Sequence, residues 1–406
     1  MIRTFNFSLF VCSIWSIVMI TGCSIEEDIK AGDEGNVIAY DSTYVSSVNF
    51  SIRSASELRN FITLANIDVD ASKMIYDVSQ FRVNYKTTYK GEEILASGLV
   101  LLPVSDERLS APILSFQHGT IFSQAEAPTN APLSDPYLIL YAAAVTTGVI
   151  MVIPDYIGYG VSEDIVHPYF IAEPTSRAIL DNIKAARELA ELTGLQFNGD
   201  LFLAGYSQGG FATMATHKVI EEQNGFEDYR LVTSYPAAGS YIGRNQVLIE
   251  PDNVFPPHFT TFRIYSYLAH YDLDLAISDF IKPPYAALIP DLFNGSLNST
   301  EILTFLNNNA GEYFTSDFLS TNEKFSGYLQ FQASNDVSDW VPEARMIMYH
   351  STEDNTSPVA ESLLTYEKFE LAGASNVTLM TGADGDHLEA VIPYVELLFN
   401  DLIDQL

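Results

Sequence analysis

The sequence is poor in cysteine and in basic residues. It contains two cysteines, Cys12 and Cys23, and only 20 lysines and arginines against 52 aspartates and glutamates, for a net charge of −32. A surface with this charge repels phosphate backbones, so nucleic acid is excluded as a partner. With so few cysteines, stability must come from burial, which a chain of 406 residues that is 47% hydrophobic can supply.

The first residues have the parts of a secretory signal. Arg3 precedes an apolar run from Phe5 to Ile20, and small residues follow it up to Cys23. The run is too short, and too soon followed by acids, to favour a permanent membrane span. The segment Ile20-Thr-Gly-Cys23 resembles a bacterial lipobox, which implies a signal peptide over residues 1–22 and acylation of Cys23. The alternative is an ordinary secretory signal with an incidental cysteine.

Residues 23–47 have no sustained apolar period and are predicted to be a flexible tether. Acidic residues within Ser24-Ile-Glu-Glu-Asp28 resemble a surface-export signal of some Gram-negative lipoproteins. We therefore expect an exported, lipid-anchored bacterial protein of the outer membrane, with exposure at the cell surface as a hypothesis.

Residues 48–406 alternate between predicted strands and helices. Alternating runs at 81–89 and 94–104 predict a hairpin at the sheet edge. Beyond it, strands are predicted at 113–116, 149–153, from 201, at 231–235 and from 345, with helices near 136–147 and 175–192. This order predicts an α/β fold with a mostly parallel central sheet.

The segment Leu201-Phe-Leu-Ala-Gly-Tyr-Ser-Gln-Gly-Gly-Phe211 predicts a strand, a sharp turn at Ser207 and a helix. A serine on such a turn needs small residues two positions away on each side, and Gly205 and Gly209 meet that need. The turn exposes the hydroxyl beside a helix N-terminus, where negative charge is stabilised. Ser207 is therefore the candidate nucleophile.

In the α/β-hydrolase arrangement, an acid and then a histidine follow the serine along the chain. Of the later histidines, His387 lies in a Gly- and Asp-rich loop, Thr381-Gly-Ala-Asp-Gly-Asp-His387, before a predicted terminal helix. Asp354 follows the predicted strand at 345–349 and is the candidate orienting acid. Its neighbour Glu353 stays open as a substitute.

The backbone N–H of Gln208 and one from a loop after an earlier strand are expected to form an oxyanion hole. Gln117-His-Gly-Thr120 supplies that loop, and either Gly119 or Thr120 is the second donor. We interpret His118 as a hydrogen-bonded turn residue rather than an acid or base.

These segments carry a family resemblance. Gln117-His-Gly-Thr120, Pro154-Asp-Tyr-Ile-Gly-Tyr-Gly160, His167-Pro-Tyr169, Gly205-Tyr-Ser-Gln-Gly-Gly210 and the loops of Asp354 and His387 resemble the secretory lipase family, the lipase A type, over about residues 70–406. The resemblance implies an α/β-hydrolase with a helical cap and a triad of Ser207, Asp354 and His387. Asp155 and His167 fall in its shared motifs, but we interpret both as structural.

About one hundred residues, 241–340, separate two predicted strands and predict a cap inserted over the site. This segment is rich in aromatic residues, most of which are expected to form the cap's own core while some line an acyl pocket.

The predicted activity is hydrolysis of a small-molecule or lipid carboxylic ester, a lipase or esterase reaction that needs no metal and no organic cofactor. Two alternatives remain. One is a serine peptidase or carbohydrate deacetylase that uses the same triad, because triad chemistry is shared between these enzymes. The other is a catalytically silent binding lipoprotein.

Surface exposure predicts that protease added to intact cells degrades the protein. Immunoblotting of cells treated with protease measures this degradation. If the protein stays intact while a known surface protein is cut, the outward-facing position is contradicted.

Overall fold

The computed structural model describes residues 42–223, 225–243, 256–320 and 322–406. The predicted signal peptide (1–22), Cys23 and most of the predicted tether lie outside the described residues, so lipidation stays a prediction. Within the described ranges, no helix is both long and apolar enough to cross a membrane.

A single mixed sheet forms the centre of the described structure. Its nine strands are β1 (Tyr44–Arg53), β2 (Asp77–Tyr89), β3 (Glu92–Val104), β4 (Ser110–Gln117), β5 (Ile150–Pro154), β6 (Gln196–Tyr206), β7 (Arg230–Ala237), β8 (Arg345–Ser351) and β9 (Val377–Gly382). They lie in the order β1-β2-β3-β5-β4-β6-β7-β8-β9. The first three pairings in that order are antiparallel and the other five are parallel. The predicted α/β fold with a mostly parallel sheet is confirmed.

Helices cover both faces of this sheet. Those outside the segment between β7 and β8 are α1 (Ala55–Leu64), α2 (Pro136–Val145), α3 (Ala172–Leu192), α4 (Gln208–Glu222), α12 (Ala360–Leu371) and α13 (Val391–Gln405). The segment between β7 and β8 contains α5 (His258–His270), α6 (Ile277–Phe280), α7 (Ile289–Leu292), α8 (Ser299–Leu303), α9 (Ala310–Tyr313), α10 (Ser316–Leu319) and α11 (Ser326–Ser334). Apolar side chains of α1, α2 and α13 pack in one large core cluster, and those of α3 and part of α4 pack in a second one.

The edge of the sheet differs from the prediction in one respect. The hairpin of β2 and β3 forms as expected, but β1 pairs with β2 and is the edge strand. Because β1 begins at Tyr44, the last four residues of the predicted tether, 44–47, lie in a strand. Most of β1 is exposed or half-buried, so backbone pairing rather than an apolar period holds it in place.

The segment between β7 and β8, which contains α5 to α11, forms the predicted helical insertion. Its short helices surround their own aromatic cluster, into which Phe122 and Tyr169 of the main domain also pack. Nine aromatic residues of the insertion are buried there: Phe262, Tyr267, Phe280, Phe293, Tyr313, Phe314, Phe318, Phe325 and Tyr328.

Ser207 occupies the turn between β6 and α4. Its φ of 61° lies in the left-handed region, which costs free energy for a residue with a side chain. Close packing around the turn leaves no room for side chains on its glycines. A Cβ on Gly205 would meet the backbone of Gly209, and one on Gly209 would meet the carbonyl oxygen of Gln117. The backbones of β4, β6 and α4 therefore approach each other at Ser207 as closely as glycine allows.

This packing predicts that Gly209→Ala destabilises the protein by about 1–3 kcal/mol, because the added methyl group must displace backbone atoms of the Gln117–His118 segment. Chemical denaturation measures the change.

Gly327→Ala is the matched control. Gly327 lies in α11, where a Cβ would make an ordinary contact of 3.5 Å with Leu273. We expect its free energy of unfolding to stay the same or rise slightly, since alanine favours helix over glycine. Equal stability of the two variants would contradict the packing described for Gly209.

Candidate active site

The structure brings Ser207, His387 and Asp354 into one hydrogen-bonded chain. Nε2 of His387 lies 2.9 Å from Oγ of Ser207, and Nδ1 of His387 lies 2.6 Å from Oδ2 of Asp354. His387 is 7% exposed and the Asp354 side chain is fully buried. The carboxylate can only accept, so Nδ1 carries a proton and the unprotonated Nε2 faces the serine hydroxyl. This arrangement can remove the proton from Ser207.

The sheet topology positions the acid and the base. β8 and β9 are parallel neighbours, so the loops at their carboxyl ends leave the same edge of the sheet as Ser207. The hydroxyl of Ser351 donates to the carbonyl oxygen of Gly385 at 2.6 Å, which ties the two loops together. On the opposite side of the histidine, the hydroxyl of Tyr206 donates to the carbonyl oxygen of His387 at 2.9 Å.

Asp354 is held in its ionised form. Burial raises the pKa of this carboxyl, but hydrogen bonds from His350 and His387, and the N–H of Ser357, outweigh burial and leave the pKa well below its usual range. Oδ1 accepts the N–H groups of Thr356 at 2.8 Å and Ser357 at 2.7 Å. An aspartate that stays ionised can stabilise a positive charge on His387.

The neighbouring acids lie elsewhere. Glu353 is exposed, and its N–H donates to Ser351 Oγ. Asp384 accepts the hydroxyl of Tyr349 at 2.9 Å, and Asp386 accepts the N–H groups of Leu388 and Glu389. Of the two candidate acids, Asp354 and Glu353, it is therefore Asp354 whose carboxylate contacts His387.

The predicted oxyanion donors lie beside the serine. Gln208 is the first residue of α4, where backbone N–H groups have no partner within the helix. Gly119 approaches from the opposite side, since a Cβ built on it would lie 3.6 Å from Cβ of Ser207. The hydroxyl groups of Thr120 and Tyr169 are 2.9 Å apart. Both candidates for the second donor, Gly119 and Thr120, thus lie in a loop that contacts the nucleophile.

Two buried histidines support this loop in their neutral forms. Burial lowers the pKa of His118 to about 4 and that of His167 to about 3. His118 Nδ1 lies 2.7 Å from the carbonyl oxygen of Gly119. Nδ1 of His167 donates to the carbonyl oxygen of Ile157 at 2.7 Å, so its Nε2 accepts from the side-chain amide of Gln208, also at 2.7 Å. His118 therefore contacts the backbone of Gly119 and His167 the side chain of Gln208, and the serine hydroxyl is hydrogen-bonded to His387.

Asp155 also has a full set of partners. Its carboxylate accepts the hydroxyl of Ser97 at 2.6 Å and both the hydroxyl and the N–H of Thr129. Burial raises the pKa of Asp155. These contacts connect β3 to the loop after β4, as expected for a structural residue.

A cavity of about 410 Å³ opens at Ser207 and His387. Its walls are largely apolar and come from β4, α2 and α13, including Phe116, Leu138, Tyr141, Val395 and Leu398. From the helical insertion, Phe259 is the aromatic that reaches it within the described residues. Phe259 is thus a cap aromatic that lines this cavity, whereas most of the wall belongs to the main domain.

The sequence of α2 already indicates that this helix contributes to an apolar wall. Helix α2, Pro136–Val145, has no polar face, and seven of its ten residues are buried. A helix that is apolar all round needs apolar partners on every side. Here the sheet covers one side and the cavity lies on another.

The comparisons with known proteins agree with this geometry. The Secretory lipase family model matches residues 124–224, about a quarter of the chain. That match includes Ser207 and the segments at 154–160 and 167–169, and it excludes Asp354 and His387. No curated protein matches the chain.

Solved structures match over most of the length. A presumed hydrolase of Legionella pneumophila is 25% identical with a TM-score of 0.78, and the match covers 89% of this chain and 97% of that one. The rice cell wall degrading esterase LipA from Xanthomonas oryzae, in a ligand-bound form, is 24% identical with a TM-score of 0.77 and covers 90% and 98%. Candida antarctica lipase A in its closed state is 15% identical with a TM-score of 0.63 and covers 88% and 82%. By its sheet order, its turn at Ser207 and these structural neighbours, the chain has the α/β-hydrolase fold.

Proposed function

We propose that the protein is a serine carboxylic-ester hydrolase, a lipase or esterase. The observation that carries the proposal is the hydrogen-bonded chain from Ser207 through His387 to Asp354, which opens on an apolar cavity of about 410 Å³. The match to the Secretory lipase family and the likeness to an esterase and a lipase support it.

In the proposed reaction, Oγ of Ser207 attacks the ester carbonyl carbon while Nε2 of His387 takes the hydroxyl proton. Negative charge on the carbonyl oxygen is stabilised by the N–H of Gln208 and by one from Gly119 or Thr120. Asp354 stabilises the imidazolium, which then protonates the leaving alcohol oxygen as the ester C–O bond breaks. Water, deprotonated by His387, then attacks the acyl-enzyme carbonyl; the bond to Oγ of Ser207 breaks, His387 returns the proton to Oγ, and the acid is released.

The cavity indicates where the acyl chain binds. The reacting carbonyl must lie at Ser207, and the apolar walls of α2 and α13 extend from there into the main domain. A hydrocarbon chain gains about 0.8 kcal/mol for each buried methylene group, whereas a peptide or an acetyl sugar would leave this volume unfilled or bury polar groups in it. The cavity therefore favours esters of longer acids over peptides and acetylated sugars.

The location proposed for this activity is the cell envelope. Acylation at Cys23 would anchor the enzyme to a membrane, where lipid esters are present, and the net charge of −32 keeps the main domain soluble beside it.

A chain that starts near residue 30 begins within the predicted tether and omits the predicted signal peptide and Cys23, so it suits the assay. On p-nitrophenyl esters from acetyl to palmitoyl, we expect kcat/KM to rise up to about fourfold for each added methylene until the cavity is full. Ser207→Ala should lower the rate by about 10⁴-fold or more, because the triad acts as a unit. Ser207→Ala with near-full activity would disprove the assignment, and a peak at acetyl would favour a deacetylase.

A second variant tests whether the acyl chain enters the cavity. Leu398 lines the cavity two turns beyond Val391 on α13, so at 1.5 Å per residue it lies about 10 Å farther along the helix from the loop of His387. Leu398→Trp should lower kcat/KM for long esters at least about tenfold and leave acetyl and butyryl esters within about twofold.

Leu402→Trp is the matched control, since Leu402 is buried on the same helix but is not part of the cavity wall. Leu402→Trp should change the free energy of unfolding but leave the dependence of kcat/KM on acyl-chain length unchanged. An unchanged chain-length profile in a folded Leu398→Trp variant would place the acyl chain elsewhere.

A further inference from the structure

A second histidine contacts the acid of the triad. His350, the sixth residue of β8, is fully buried, and its Nε2 lies 3.3 Å from Oδ2 of Asp354. This is the same carboxylate oxygen that accepts Nδ1 of His387 at 2.6 Å. Asp354 Oδ2 therefore lies between two imidazole rings.

The partners of His350 determine which of its nitrogens carries a proton. Nε2 lies 2.9 Å from the carbonyl oxygen of Ser357, which can only accept. Nε2 is therefore protonated: it donates to the carbonyl oxygen of Ser357, and the same N–H lies beside Oδ2 of Asp354 at the longer distance of 3.3 Å. The hydroxyl of Ser362, 2.7 Å from Nδ1, holds the ring from its other side.

Asp354 accepts three hydrogen bonds, from Nδ1 of His387 and from the N–H groups of Thr356 and Ser357, and the His350 imidazole is a fourth, longer polar contact at 3.3 Å. Charge-assisted hydrogen bonds of this kind hold a carboxylate in one orientation and in its ionised form. The two backbone N–H groups bind Oδ1, whereas His350 and His387 both contact Oδ2. The bonds to Oδ1 leave Oδ2 aimed at Nδ1 of His387.

We propose that His350 is a positioning residue for the triad and that it acts on the reaction through Asp354. Its Nε2–H fixes the carboxylate that orients His387 and stabilises the imidazolium. The inference rests on the proposed hydrolase function, because a positioning effect on Asp354 has a catalytic consequence only if Ser207 and His387 react.

Two amide substitutions separate this role from simple packing. In His350→Gln the side-chain amide reaches the place of Nε2 and can still donate to Asp354, whereas the shorter amide of His350→Asn cannot. We expect kcat to fall about tenfold in His350→Asn with KM within twofold, and to stay within about threefold of the parent in His350→Gln. Equal kcat values for the two variants would overturn the proposal.

His217 supplies the matched control. It is fully buried, its Nδ1 lies 2.8 Å from a serine hydroxyl, that of Ser234, and its Nε2 lies 2.9 Å from an acid, Glu221. It therefore has the same kinds of partner as His350 but no contact with the triad. His217→Asn should lower the melting temperature and leave kcat unchanged, and a similar loss of kcat would make the His350 effect a general cost of destabilisation.

A double-mutant cycle with Asp354→Asn tests the route of the effect. If His350 acts through the Asp354 carboxylate, His350→Asn should change kcat by less than about twofold once Asp354 is an amide. An undiminished tenfold loss in that background would show that His350 acts by another route, and the proposal would fail.

A spectroscopic measurement does not depend on turnover. The proton shared between His387 Nδ1 and Asp354 Oδ2 should give a resolved downfield proton resonance. We expect His350→Asn to shift or broaden it, and His217→Asn and His350→Gln to leave it in place. An unmoved resonance in His350→Asn would count against the proposal.

Different variants test the proposed hydrolase function and the proposed role of His350. If Ser207→Ala is as active as the parent, the proposed hydrolase function is wrong. If Ser207 is required but His350→Asn keeps the parent's kcat, the function stands and only the role of His350 is lost. Should His350→Asn not fold, Ser362→Ala takes its place, because it releases the ring at Nδ1; a folded Ser362→Ala with the parent's kcat and resonance would overturn the proposal.

Discussion

The backbone strain at Ser207 is the constraint on which the rest of the structure depends. A residue with a side chain holds a φ of 61° only where its surroundings leave no alternative. Here β6 fixes the residue before it and α4 the residues after it, and the N–H of Ser207 donates to the carbonyl oxygen of Ala237 in the next strand. Gly209 lets the backbone of Gln117 approach closely, so the loop that contains Gly119 is brought to the serine by the same packing. The nucleophile and the predicted oxyanion hole are therefore products of one close contact between three elements.

The C-terminal helix connects this strained turn to the rest of the site. The hydroxyl of Tyr394 on α13 accepts the N–H of Gly205 at 2.9 Å and donates to the carbonyl oxygen of Tyr235 at 2.7 Å, so the helix is joined to β6 and β7 just before the turn. The same helix begins four residues after His387 and provides Val395 and Leu398 to the cavity wall. The buried face of this amphipathic helix thus connects the loop of His387, the turn at Ser207 and the cavity wall.

The features of the fold and of the site that follow from local sequence rules could be predicted. The turn at Ser207 follows from glycines at fixed spacing, and the parallel sheet follows from alternating elements. Residues that depend on long-range packing could not be predicted in the same way. In β1, Val48, Phe50 and Ile52 alternate, but Val48 and Ile52 are exposed, so the alternation does not mark a buried face. The strand is held by its pairing with β2 and by contacts of Tyr44 and Phe50 with the main domain. The cavity wall combines helices separated by about 250 residues, and the contact of His350 with Asp354 becomes visible only when the loop after β8 folds back, although the spacing of four residues between them was a weak signal.

The charge distribution around Ser207 is asymmetric, and this asymmetry fits the direction of the proposed proton transfer. On the side of the expected oxyanion, burial keeps His118 and His167 neutral, with pKa values of about 4 and 3, so these rings can orient Gly119 and Gln208 without adding a charge that varies near neutral pH. On the side of the base, Asp354 is kept ionised by the hydrogen bonds of its loop and of two imidazoles. A positive charge on His387 is therefore stabilised where it would form, while the negative charge on the substrate oxygen meets backbone dipoles that need no reorganisation. The helical insertion supports the first of these two sides, because the hydroxyl of Ser266 on α5 donates to the carbonyl oxygen of His167 at 2.8 Å and accepts the N–H of Tyr169 at 2.7 Å. A change at Ser266 would therefore be transmitted through His167 to Gln208, with which His167 shares a hydrogen bond.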